Sequence, residues 1–247
     1  MAELFNQVTN RRGLIVFGGE ASSDYGMVVA EAPAFERSTR KSTSYNVPGR
    51  NGVVLFQEDA WEDKARPYKV WLTAEGKEDL AASVNAIEAW LNSIKGYQRL
   101  EDNFEPDVFR LAYFNGGADF SNELTQYGEA TLSFMCRAER FYKEGELPVT
   151  VSNGTKLLNS TRFSAKPLIH IEGSGTVTLA INGEQITASL TDYINIDVER
   201  MNAYRLAGQN LNSSVSGTFP KIAPGENTII TSGTITKVTI VPRYFTI

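Results

Sequence analysis

The chain has 247 residues but only one histidine and one cysteine, which bounds most site chemistry at once. His170 alone cannot build a histidine-rich metal site, and Cys136 alone forms neither a Cys-x-x-Cys motif nor an internal disulfide. A Ser–His–Asp triad would have to use His170, yet no serine sits in a Gly-x-Ser-x-Gly elbow. No Gly-x-x-x-x-Gly-Lys loop and no helix-opening Gly-x-Gly-x-x-Gly is present to cradle phosphate. Acidic neighbours recur at Glu58-Asp59, Glu62-Asp63, Glu78-Asp79 and Glu101-Asp102. A glycosidase needs two carboxyls facing each other across a cleft, one with a raised pKa, whereas adjacent acids in polar segments read as solvated surface. Asp59-x-x-Glu62-Asp63 lacks the calcium-loop spacing of an EF-hand. His170 lies in the alternating run Leu168-Ile169-His170-Ile171 and reads as a strand histidine facing water or bonded locally. The residue types therefore predict no catalytic, metal or cofactor site.

Charge narrows the partners. The net charge is −5, and it is uneven. Residues 1–50 carry 6 basic and 5 acidic side chains, net +1; residues 51–147 carry 10 and 18, net −8; residues 148–247 carry 8 and 6, net +2. No part has the basic excess of a protein that grips nucleic acid. No apolar run approaches the length of a membrane span, and residues 1–10 lack the basic-then-apolar pattern of a secretory signal. With a single cysteine, folding in a reducing cytoplasm is the expectation. Without a secretory signal, the glycosylation-like triplets at Asn153, Asn159 and Asn212 read as polar loops.

Most of the elements read as strands. Leu14–Phe17, Met27–Phe35 (broken by Pro33), Val53–Gln57, Pro67–Thr73, Val108–Phe114 and Ala130–Cys136 carry apolar runs or alternation. One helix stands among them, over about 77–95. Leu80, Val84, Ile87, Leu91 and Ile94 share one face beside Trp90, with Thr73 or Gly76 as candidate caps and Gly96 as the stop. Arg37 to Ser44 is polar and basic and reads as an exposed arm or long loop. It leads into the turn-rich run Tyr45-Asn46-Val47-Pro48-Gly49-Arg50-Asn51-Gly52. After Leu147 charge falls while Ser, Thr, Asn and Gly rise, and short strands follow at close spacing, the pattern of a β-sandwich. Asn182-Gly183 is a strong hairpin signal. The expected domains are 1–147, a β domain with one helix, and 148–247, a β-sandwich; the class is mainly β.

Several of these pieces, in this order, resemble the distal tail proteins of siphophages. In the first half they are Val47-Pro48-Gly49-Arg50-Asn51-Gly52, Ala89-Trp90-Leu91, Leu100-x-x-x-Phe104-Glu105-Pro106-Asp107 and Leu132-x-Phe134-x-Cys136. In the second they are Lys166-Pro167-Leu168-Ile169-x-Ile171-x-Gly173-x-Gly175, Ile181-Asn182-Gly183, Ile196-Asp197 and Phe219-Pro220-x-Ile222-x-Pro224-Gly225-x-Asn227-x-Ile229. The resemblance implies an N-terminal β-barrel or sandwich with one helix and a galectin-like C-terminal sandwich. It implies a hexameric ring at the tail tip that joins the tail tube to receptor-binding components and leaves a channel for DNA, which passes without specific binding. It also implies a virion protein made in the host bacterial cytoplasm, with no enzyme activity, cofactor or membrane insertion. The basic arm would then reach an acidic neighbour in the ring, through Arg37, Arg40, Lys41, Tyr45, Pro48, Gly49, Arg50 and Asn51. The competing expectation is a carbohydrate-binding module that recognises a bacterial surface.

Overall fold

The computed structural model describes residues 13–34, 37–73, 77–116, 121–123, 127–206 and 208–247; of Thr73, residues 77–79, residues 121–123 and Tyr127 it describes the backbone alone. Contacts divide the chain into two compact units, Met1–Arg140 with Ile247, and Phe141–Thr246. The division falls just ahead of the change in composition at Leu147.

The first unit is built of β1 (Ile15–Phe17), β2 (Glu20–Ala21), β3 (Met27–Val29), β4 (Arg40–Asn46), β5 (Val53–Trp61), β6 (Lys64–Thr73), helix α1 (Lys77–Ser93), β7 (Gln98–Asp102), β8 (Val108–Phe114), β9 (Ser121–Glu123) and β10 (Tyr127–Tyr142). Its main sheet runs β2-β1-β7-β8-β10-β6-β3, and β9 adds to β10. The sheet curls until Gly13, just ahead of β1, exchanges backbone hydrogen bonds of 3.0 and 2.7 Å with Val29 in β3. Glycine is required there: a Cβ on Gly13 would overlap the Phe104 ring and the Val29 side chain. Alternation puts Tyr68, Val70 and Leu72 of β6 inward on the same face as Ala130, Leu132 and Phe134 of β10, with Val70 opposite Ala130 and Tyr68 opposite Leu132, and all six are buried.

Helix α1 covers this core with the face that its spacing predicts. Leu80, Ile87, Trp90 and Leu91 are buried, and Val84 and Ile94 pack partly buried beside them. Trp90 donates its indole N–H to the Phe17 carbonyl at 3.2 Å and stacks on Tyr25, with ring centroids 4.8 Å apart. Gly96 follows with φ +72°, the left-handed conformation expected of a helix stop. Of the two candidate caps, Thr73 closes β6 instead, and Gly76 lies outside the described residues.

The second unit holds β11 (Val149–Val151), β12 (Lys156–Asn159), β13 (Leu168–Ile181), β14 (Glu184–Leu190), β15 (Tyr193–Asp197), β16 (Asn202–Tyr204), β17 (Val215–Gly217), β18 (Gly225–Val241) and β19 (Phe245–Thr246). The sheet order is β11-β18-β13-β14-β17, with β12 on β18, and with β15 joining β13 to β16. Two long strands, β13 and β18, each span what the sequence reads as two short ones, Leu168 to Ile171 with Val177 to Ile181, and Thr228 to Thr231 with Ile235 to Val241. Their register shifts at Glu172/Gly173 and again between Ser174 and Thr178. At this bulge the backbones crowd together: a Cβ on Gly173 would overlap the Thr234 carbonyl, and one on Gly233 (φ +100°) the Thr176 carbonyl. Before the bulge β13 pairs with β15, after it with β14, so the sheet folds over one sandwich core. That core joins Ile169, Ile171, Val177, Leu179, Ile181, Ile194, Ile229 and Ile240. The Asn182-Gly183 turn has φ +50° and +89°, as a two-residue hairpin requires. Chain entry and exit lie side by side: Tyr142 N donates to Tyr244 O at 2.9 Å, and Arg243 N to Gly145 O at 2.8 Å.

Candidate assembly surface

β4 and β5 form a two-stranded sheet of their own, the arm. Thr43 and Tyr45 in β4 are residues that suit an extended ribbon. At its tip Arg50 N donates to Val47 O at 3.2 Å around Pro48-Gly49, and Gly49 has φ +79°. Proline followed by a positive-φ glycine is the chemistry of a type II turn. The base is pinned. Arg40 bonds the Asp59 carboxylate at 3.1 Å and the Glu58 carbonyl at 3.3 Å, its guanidinium lies 4.9 Å from the Trp61 ring centroid, and Glu62 N donates to Thr39 O at 2.9 Å.

The sequence-predicted contact residues separate by position. Pro48, Gly49, Arg50 and Asn51 share the tip, Tyr45 sits along the ribbon, and Lys41 stands near the base; all six are exposed, as is Arg37 ahead of β4. Arg40 differs, because its guanidinium is engaged within the arm. The sequence reading left out the return strand. Val53, Leu55 and Phe56 are exposed at 50%, 52% and 59%, close to Tyr45 at 57%. Four consecutive apolar residues, Val53-Val54-Leu55-Phe56, look like a buried strand; here Val54 is half-buried and the other three stay exposed.

The acids that sequence reading assigned to solvent split likewise. Asp102 is buried at one end of the first unit's core, where alternation in β7 turns Leu100 and Asp102 inward. It accepts hydrogen bonds from the Tyr68 hydroxyl at 2.6 Å, Arg66 at 2.9 Å, and the backbone N–H groups of Phe104 and Glu105 at 3.1 and 2.9 Å. Glu105 accepts from Arg66 at 3.2 Å, Arg140 at 3.0 Å and Arg110. Burial pushes both carboxyls up, but the Tyr68 and arginine bonds outweigh it and hold them below their ordinary range. Burial, then the Asp102 charge, raises the Tyr68 phenol well above its ordinary value. These bonds join Arg66 and Tyr68 of β6 to Asp102 at the end of β7 and link Glu105 to Arg110 of β8 and Arg140 of β10, so the cluster locks strands together.

The remaining candidates are also structural. His170 Nδ1 lies 2.8 Å from Asn195 Oδ1, and Nε2 lies 3.4 Å from Glu172. Cys136 is buried. Asn159, read as part of a polar loop, is buried, its amide donating to the Phe163 and Ile222 carbonyls at 2.9 and 3.1 Å. Asn153 and Asn212 accept from the backbone of Thr231 and Ala203 at 3.0 and 2.6 Å. Among the described residues no group of three or more His, Cys, Asp or Glu side chains is placed to hold a metal ion, and no helix is long and apolar enough to cross a membrane.

No protein-family model matches the sequence. No curated protein matches it either. Solved structures do match. One is the crystal structure of SPP1 Dit (gp 19.1), described as a paradigm of the hub adsorption apparatus in phages infecting Gram-positive bacteria. The TM-score is 0.75 at 13% identity, over 95% of this chain and 99% of that one. Two are structures of the phage p2 baseplate in its activated conformation. The form with Sr gives a TM-score of 0.53 at 10% identity, over 93% of this chain and 96% of that one; the form with Ca gives 0.52 at 11%, over the same shares. The chain thus has the mainly β fold of a phage distal tail protein, as its sequence pieces suggest.

Proposed function

We propose that this chain is a structural hub of a phage tail tip, without catalytic activity. Six copies form a ring that joins the tail tube to tip and receptor-binding components and leaves a channel through which DNA passes unbound. The carrying observation is the likeness to SPP1 Dit over nearly the whole of both chains. Two features of this chain support it. The first unit lays an arm with exposed apolar residues outside its main sheet. The arm and its lead-in, residues 37–61, carry Arg37, Arg40, Lys41 and Arg50 against Glu58 and Asp59, net +2, while residues 62–147 have a net charge of −6, so one copy offers what the next attracts. Such a heterologous contact, repeated about an axis, closes a ring. The same acidic balance keeps DNA from adhering. The protein is accordingly made in the host cytoplasm and ends in the virion, at the tail tip.

Electron microscopy of the purified full chain, with its mass in solution, tests this reading. Sixfold rings with an open centre are expected at high concentration or on addition of tail-tube protein. A chain that stays monomeric with tube and tip proteins supplied removes the ring.

A further inference from the structure

The cross-strand register of the arm places Val53 and Leu55 on one face with Ser42, Ser44, Asn46 and Gln57. It places Tyr45, Val54 and Phe56 on the other with Thr43. An ordinary surface hairpin has one apolar face and one wet one. This one exposes large apolar side chains on both, Val53 and Leu55 at 50% and 52% on one side, Tyr45 and Phe56 at 57% and 59% on the other. Tyr45 and Phe56 pack edge-on at 5.8 Å and cover only part of each other. The outer edges of both strands also lack a ladder partner among the described residues. A two-stranded ribbon in water is at best marginally stable. A flat contact would bury a single face and leave the opposite face and the edges as they are.

We propose that both faces of the arm are buried by one neighbouring copy of this chain, which receives it in a groove. This rests on the reading of the arm as a ring contact. The occupant follows from charge: outside the arm itself, the acidic stretch that complements Arg37, Lys41 and Arg50 is residues 62–147 of the same sequence, with 10 basic and 16 acidic side chains, net −6. The serines, threonine, asparagine and glutamine between the apolar side chains supply hydrogen bonds to the groove walls, and the wall backbones can pair the free edges.

The two faces can be addressed separately by adjacent positions. Leu55→Cys marks one and Phe56→Cys the other; the native thiol, Cys136, is buried and stays silent. Each variant of the full chain carries a maleimide-linked photo-crosslinker and is illuminated in the assembled state, as rings or as purified tail tips. The groove predicts that both positions give products of twice the chain mass, with cross-links landing within 62–147 of another copy. It also predicts that maleimide labelling of both thiols slows by about tenfold or more on assembly. Cross-links to this chain from one face only, or from one face to a different protein, overturn the groove and leave the arm as a ring contact. No cross-link from either face, or no assembly with tail components supplied, overturns the ring contact as well.

Discussion

At Asp102 a carboxylate without solvent contact gathers bonds from Tyr68, Arg66 and two backbone N–H groups. Asp102→Asn leaves the Arg66 and Arg110 charges, 4% and 2% exposed, short of a counter-charge, and should cost about 3–5 kcal/mol in urea unfolding. Its pH dependence has a definite sign. Asp102 and Glu105 are more acidic folded than at their ordinary 3.8 and 4.5, so their stabilisation is complete above those values and drains away as pH falls through the lower folded ones. Stability of the first unit should stay level down to about pH 5 and drop below about pH 4, and Asp102→Asn should flatten that drop. At the bulge, Gly173→Ala drives a methyl group into the Thr234 carbonyl and should cost roughly 1–3 kcal/mol. The sequence offered little notice of the ionic lock. Gln98-Arg99-Leu100-Glu101-Asp102 looks like a solvated polar run, and only its pairing as β7 decides that Asp102 points inward while Glu101 turns out to meet Arg99 at 2.5 Å. His170 was easier to read, because alternation within one strand already places it on the outer face.

For the elements, legibility depended on whether a segment's surroundings are local. The apolar stripe of α1 is written in its own spacing, and Leu80, Ile87, Trp90 and Leu91 are buried as that stripe requires. Ile87→Ala, at the middle of the stripe, should cost about 2–5 kcal/mol. The arm was half legible. Its polar outgoing stretch and turn dipeptides announced exposure, yet Val53-Val54-Leu55-Phe56 carries the pattern of a buried strand. Periodicity reports which residues want cover and is blind to where the cover comes from. Since Arg40 pins the arm at Asp59 and Trp61, Arg40→Ala should speed amide exchange throughout β4 and β5. It should leave the unfolding free energy of the main sheet within about 0.5 kcal/mol.

At the scale of the whole molecule, a ring closed by a basic arm on an acidic neighbour should respond to charge and to salt. Reversing Arg37, Lys41 and Arg50 to Glu together should abolish rings in micrographs while the monomer melts as before, since all three side chains are exposed. Raising ionic strength should weaken the parent ring in the same direction. The mainly β class and the sandwich of the second half were readable from strand spacing, but β13 and β18 each looked like two strands. The breaks in their patterns at Gly173 to Ser174 and at Ser232 to Gly233 are the bulge that carries each strand through both parts of the sandwich. The paired strands that enter and leave the second unit carry one more consequence. With Tyr142 beside Tyr244 and Gly145 beside Arg243, the two ends of that unit sit one ladder spacing apart, about 5 Å. Ends held that close invite circular permutation: a short linker from Arg243 to Gly145 would bridge them while leaving the strand pairing of the sandwich in place.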